Sequence, residues 1–109
     1  MNTFKRFTSQ NIGTTVTPVG GYVVPASTTT TAIGLTVANT VSTAVNVSVS
    51  LYNGTVDTYI VRNALLIPGQ TQILVGGDQK IVLQTGDSIR VISDTAASID
   101  SILSVLELS

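Results

Sequence analysis

The side chains here that could give, hold or attack with a proton or an electron pair are six acidic residues, two lysines, three arginines, three tyrosines and a large set of serines and threonines. There is no histidine and no cysteine. Histidine is the side chain that titrates nearest neutrality, and the cysteine thiolate is the strongest nucleophile at that pH. The usual general bases, thiolate nucleophiles and soft metal ligands are therefore missing. A serine nucleophile would have to pass its proton to Lys5 or Lys80, and no motif marks either as a base. Asp57, Asp78, Asp87, Asp94 and Asp100 each fall at or near a predicted turn or strand end, where a carboxylate accepts bonds from local backbone donors. No loop brings two acids within a few residues, as a calcium loop would, and nothing favours a glycosidase-type carboxylate pair. The run Gly76-Gly77-Asp78-Gln79-Lys80 lacks the Gly-x-x-x-x-Gly-Lys-Ser/Thr spacing of a phosphate loop and opens a strand, so it reads as a turn. Tyr22, Tyr52 and Tyr59 are dispersed, with Tyr52 placed to pack across a hairpin. This residue set predicts no enzyme, no catalytic residue, no cofactor, no metal and no small-molecule substrate.

The elements that would position these side chains follow a period of two. Residues 45–51 alternate, with Val45, Val47, Val49 and Leu51 on one face and Asn46, Ser48 and Ser50 on the other, which is the pattern of a half-buried strand. Asn53-Gly54 follows and predicts a type I′ turn into a returning strand over 56–62. Residues 30–39 read as a strand with Ile33, Leu35 and Val37 inward, and Gly34 marks an expected close approach of a neighbour to the backbone. Pro25 ends a short extended piece at 22–24, and Pro68-Gly69 separates 64–67 from 71–75. Residues 84–87 read as a compact hairpin connection between strands 80–83 and 88–93. Residues 98–108 fit either a helix or a strand by periodicity. The serines at 98, 101 and 104 and the lack of a capping box favour the strand. Strands at such short spacing predict one all-β domain over 1–109, an antiparallel β-sandwich of immunoglobulin-like or jelly-roll-like kind.

Composition sets the scale of that domain. A chain of 109 residues buries roughly 65% of its unfolded surface, enough for one modest core, and at 5% aromatic residues that core must be aliphatic. Only 10% of residues are charged, the formal net charge is −1, and the five basic residues form no stripe, so no nucleic-acid partner is expected. No apolar run is long enough to span a bilayer or to act as a signal peptide, so no membrane partner is expected either. Without a secretory signal the glycosylation patterns at Asn46 and Asn53 have no compartment in which to matter. A soluble monomer usually keeps its neighbours away with net charge and charged sheet edges; this chain has little of either, as if built to be surrounded by protein. Residues 1–11 contain Phe4, Lys5, Arg6 and Phe7 without clean alternation. They read both as a first edge strand with two core phenylalanines and as an N-terminal arm whose apolar anchors and basic pair make assembly contacts with a neighbouring copy.

The stretches KRFTSQNIGTT at 5–15, KIVLQTGDSIRV at 80–91 and SILSVLE at 101–107 resemble the small all-β virion proteins of tailed bacteriophages, particularly those of marine and cyanobacterial hosts. The resemblance implies a non-enzymatic structural protein, made in the host cytoplasm and located in the virion. It would be present in many copies as capsid decoration or as a neck or tail component, with itself and other virion proteins as partners. The resemblance carries over no catalytic or ligand-binding residue. The alternative is a free-standing β-sandwich that binds carbohydrate or a host surface through its loops, a reading weakened by how few aromatic residues those loops hold.

Overall fold

The computed structural model describes residues 2–76 and 79–108. Its strands are β1 (Asn2–Ile12), β2 (Thr17–Pro18), β3 (Thr29–Asn39), β4 (Val45–Tyr52), β5 (Asp57–Leu66), β6 (Thr71–Val75), β7 (Ile81–Leu83), β8 (Ser88–Ser93) and β9 (Ile99–Leu108), with a single 3-10 turn at Val19–Gly21. They form two antiparallel sheets packed face to face. The first runs β1-β9-β3-β6, with β7 also on β3; the second runs β2-β8-β4-β5. Because β9 pairs with β3 from Thr29 to Asn39, β6 and β7 share the opposite edge of β3, one beside Leu35–Ala38 and the other beside Thr30–Ala32. They are one strand interrupted after Val75, where Gly76 and Gln79 exchange backbone bonds of 3.2 and 3.0 Å. With β6 and β7 counted as one strand of eight, the sheets read 1-8-3-6 and 2-7-4-5. That is a jelly roll, the second of the two sandwich types the sequence predicts.

Between the sheets lies an aliphatic core that includes Ala32, Leu35 and Val37 of β3, Val45, Val47 and Val49 of β4, Ile89 and Val91 of β8, and Ile99, Leu103 and Val105 of β9. Tyr22 is its one aromatic among the fully buried residues described. The alternation at 45–49 places its valines inward as expected, while Leu51 is half-buried toward the open end. The 98–108 segment forms the strand Ile99–Leu108, and its inward set is Ile99, Ser101, Leu103, Val105 and Glu107.

Five local expectations are corrected. In β3 the register against β9 shifts between Ala32 and Gly34, so the inward set is Thr30 and Ala32, then Leu35, Val37 and Asn39, and Ile33 is displaced from it. Gly34 sits at that bulge, and a Cβ there would meet only Ser104 at an ordinary 3.7 Å, so no side chain of this chain makes the close approach. The Asn53-Gly54 connection is not type I′, which requires positive φ at both residues: Gly54 has φ +94 and Asn53 does not share it. Instead the Asn53 Oδ1 accepts bonds from the backbone N–H of Thr55 and Val56 at 3.0 and 2.9 Å, closing a longer Asx-type loop. Residues 57–66 are one strand, bulged at Asn63, whose φ is +54 and whose N–H donates to Ser48 Oγ at 2.9 Å. The 84–87 turn is real, with Asp87 N–H on Gln84 O at 2.9 Å, but it carries the chain from one sheet to the other instead of closing a hairpin. The same turn is tied to Val24 by two backbone bonds of 3.0 Å, which fixes the extended 22–24 link along the end of the sandwich.

Candidate assembly surface

The Phe4–Phe7 stretch lies in β1, an edge strand that pairs with β9 from Asn2↔Leu108 to Ser9↔Ser101 and again at Ile12↔Ile99. Strand alternation divides its four residues between two roles. Phe4, 73% exposed, and Arg6 point to the outer face of the sheet. Lys5 and Phe7 point inward and make contacts within the chain: Lys5 Nζ lies 2.9 Å from Glu107 Oε1, and the Phe7 ring stacks on Tyr22 with centroids 4.2 Å apart. So the outer face of β1 presents one apolar anchor and one cation, Lys5 stays partly exposed beside Glu107, and the two core phenylalanines of the edge-strand reading reduce to Phe7.

The inward half of β1 is held by a polar cluster that sequence reasoning did not single out. Glu107, 7% exposed, projects inward from β9. Its Oε2 accepts the Tyr22 hydroxyl proton at 2.7 Å, and Thr30 Oγ1 lies 2.7 Å from the same tyrosine oxygen, so the single phenolic proton goes to the carboxylate and the Thr30 hydroxyl donates in turn. The tyrosine bond most of all, and then the bond and charge of Lys5, hold the Glu107 carboxyl below the ordinary carboxylate range. Burial, aided by the neighbouring carboxylate, pushes the Tyr22 hydroxyl up to about 12. Gly20 completes the seat of β1: its N–H donates to Ser9 Oγ at 2.7 Å, its φ is +62, and a Cβ at this position would lie 2.6 Å from the Phe7 Cβ. The signal for Glu107 is the alternation itself, which puts it in one row with Ser101, Leu103 and Val105.

The aspartates divide as well. Asp87 accepts Gln84 N–H at 2.9 Å, the local capping expected of these residues, whereas Asp94 accepts Asn46 N–H at 3.1 Å and Asp100 accepts Asn11 N–H at 3.0 Å, backbone donors distant in sequence. Backbone and side-chain donors at Asn46 and Thr95 lower the Asp94 carboxyl. Asp78 lies outside the described residues. Asp57 instead forms a two-pronged ion pair with Arg90, Nε to Oδ1 at 3.1 Å and Nη2 on Oδ2, with a third bond from Ser50 Oγ at 2.9 Å. The guanidinium holds the Asp57 carboxyl below its ordinary value and also lies 3.8 Å over the centre of the Tyr52 ring. Tyr52 thus packs under a cation from β8. Among the described residues no three His, Cys, Asp or Glu side chains converge as metal ligands.

The two outer faces therefore differ in kind. On the four-stranded sheet, Asp57, Arg90, Tyr52 and Ser50 form one network, Ser48 and Asn63 another, and Asn46 and Asp94 a third. On the five-stranded sheet two cross-strand rows carry apolar side chains. One runs Phe4, Leu106, Thr31, Val82 and the other Thr8, Ile102, Thr36, Ile73. Phe4, Ile73, Val82 and Ile102 are all among the most exposed large apolar residues of the molecule, Ile73 at 71%.

Fold and surface together define a jelly-roll β-sandwich with one self-satisfied polar face and one bare neutral face. No protein-family model and no curated protein sequence matches the chain. Solved structures do share its fold. A chain from the Bacillus endospore appendages, which form disulfide-linked pili, superposes with a TM-score of 0.58 at 12% identity, over 99% of this chain and 88% of that one. A chain from the T13 particle of the icosahedral virus IBDV superposes with a TM-score of 0.59 at 11% identity, over 97% of this chain. This chain spans only 30% of that viral chain's length.

Proposed function

We propose that this chain is a non-enzymatic structural protein of a phage virion, assembling in many copies on the capsid as decoration or at the neck or tail. The observation that carries the reading is the pairing of a jelly roll with a bare, uncharged sheet face. A small domain that worked alone would protect such a face with charge, whereas a repeated subunit covers it with protein. The fold likeness to a chain of an icosahedral viral particle and to one of the appendages that form pili supports it. The sequence resemblance selects the virion between them. Of the Phe4–Phe7 stretch, Phe4 and Arg6, which point outward, would make the assembly contacts, while Lys5 and Phe7 seat β1.

Mass spectrometry of particles purified from the phage that encodes the chain tests this directly. The protein is expected among the virion components at a copy number of tens or more. Its absence from intact particles, together with binding of the purified protein to a glycan array or host cell envelope, would replace the structural role with that of a free-standing binding module.

A further inference from the structure

Resting on the reading that the chain assembles in many copies, we infer that the outer face of the five-stranded sheet is the self-contact face, covered in the assembly by the same face of a second copy of this chain. Three observations identify the occupant. The first is charge. Along the described strands, only Arg6 and Asp100 bring charge to this face, one of each sign, and the other residues of its two apolar rows are Thr8, Thr31 and Thr36. A neutral face is matched by another neutral face. In a two-fold contact, where every meeting of residue i with j is answered by j with i, the Arg6 of each copy can answer the Asp100 of the other.

The second is area. Four strand positions about 4.8 Å apart and about ten residues of ~3.3 Å each make a plane of roughly 600 Å². With side-chain relief this approaches the ~800 Å² that each partner contributes to a standard stable interface. The third is the contrast with the opposite face. There the polar groups bond to one another within the chain, as the Asp57–Arg90 pair does, and the exposed Leu65 and Tyr59 of β5 stand in no apolar row, Leu65 pairing with Asn46 and Tyr59 with Ser50 and, beyond it, Arg90. The formal net charge of −1 leaves little repulsion between copies.

The test compares the purified full chain with Ile102→Arg, Ile73→Arg and Leu65→Arg by size-exclusion chromatography with light scattering, and each variant's fold by circular dichroism. The wild type and Leu65→Arg are expected above monomer mass, and Ile102→Arg is expected to weaken self-association by roughly tenfold or more, as loss of a central apolar contact does. Ile73→Arg, on the sheet edge and more exposed, stands in should Ile102→Arg melt early. Because the chain has no cysteine, Ser104→Cys gives an unambiguous second readout: copies stacked on this face cross-link to a dimer on mild oxidation. Folded Ile102→Arg and Ile73→Arg proteins that keep the wild-type mass would overturn the inference. So would a wild type that stays monomeric with no cross-linked Ser104→Cys dimer. Either result leaves the virion role standing if particles contain the chain, whereas an intact oligomer missing from particles would strike the virion role alone.

Discussion

Replacing Tyr22 with Phe isolates the cluster that seats β1. The ring and its stack on Phe7 stay, and only the hydroxyl between Glu107 and Thr30, 2.7 Å from each, is removed. Glu107 keeps Lys5 but loses one of its two charge-assisted bonds while buried, a loss worth about 1.5–3 kcal/mol. Against a total stability of about 5–15 kcal/mol, this should lower the melting temperature by on the order of 10 °C at neutral pH. The alkaline limb is the sharper test. The Tyr22 hydroxyl titrates at about 12 in the fold against an ordinary 10.0. Between those values the unfolded chain has lost a proton that the native chain keeps, so native stability falls as pH rises through the window and is fully present below it. A two-unit displacement corresponds to roughly 2–3 kcal/mol. Tyr22→Phe has no such limb, so urea-melt stabilities of wild type and variant should differ at pH 7 and converge toward pH 12. A gap that stays constant from pH 9 to 12, or a loss under about 0.5 kcal/mol at pH 7, would refute the bonding assigned to this hydroxyl.

Val47→Asp buries an unpaired charge in the centre of the core and should leave the chain unfolded by circular dichroism, whereas Ser48→Ala removes the acceptor for Asn63 N–H and a long bond to Asn63 Oδ1 and should cost about 1 kcal/mol. Equal melts for the two would place β4 in the wrong register. Asp57 and Glu107 titrate below their ordinary 3.8 and 4.5, so the native state binds fewer protons than the unfolded chain in acid. Stability should be constant above those values and decline as pH falls below them, and Asp57→Asn should flatten part of that decline in melts taken from pH 6 to 2. Gly20→Ala combines positive φ with a Cβ 2.6 Å from that of Phe7, while Gly54→Ala has positive φ and open space. Gly54→Ala should cost about 1–2 kcal/mol and Gly20→Ala at least twice that in urea titrations, and similar costs would mean that β1 does not press on the 3-10 turn.

What could be read from the sequence was whatever a strand declares by itself. Residues 45–49 alternate cleanly because β4 lies inside a two-layer sandwich, with one face on the core and the other on bonded serines. The helix-or-strand ambiguity at 98–108 yields to the all-β context, since β9 is paired on both sides by β1 and β3. The errors share a different cause. A bulge moves one residue and flips the parity of everything beyond it, so Ile33 was grouped with Leu35 and Val37 although the shift between Ala32 and Gly34 separates them. Likewise, turn chemistry at 84–87 fixes a reversal but not the sheet that the next strand joins. That choice depends on β8 fitting between β2 and β4, contacts tens of residues away.

The proposed contact face is the extreme case of such non-local information. Phe4, Ile73, Val82 and Ile102 come from four strands spread over the chain, and in its own strand each is an ordinary outward apolar residue of the kind every soluble protein exposes. Only the sheet order brings them into two rows. The residues between them carry the more telling signal: Thr8, Thr31 and Thr36 are β-branched and uncharged, suited to hold a sheet together but not to keep another protein off it. A free β domain of this size guards its open faces and edges with lysine and glutamate, and here the lysine and glutamate of the β1–β9 edge, Lys5 and Glu107, are turned inward and spent on each other. Charge here fixes the chain's own edge strand, and the outer face is left nearly uncharged, the condition that the proposed self-contact needs.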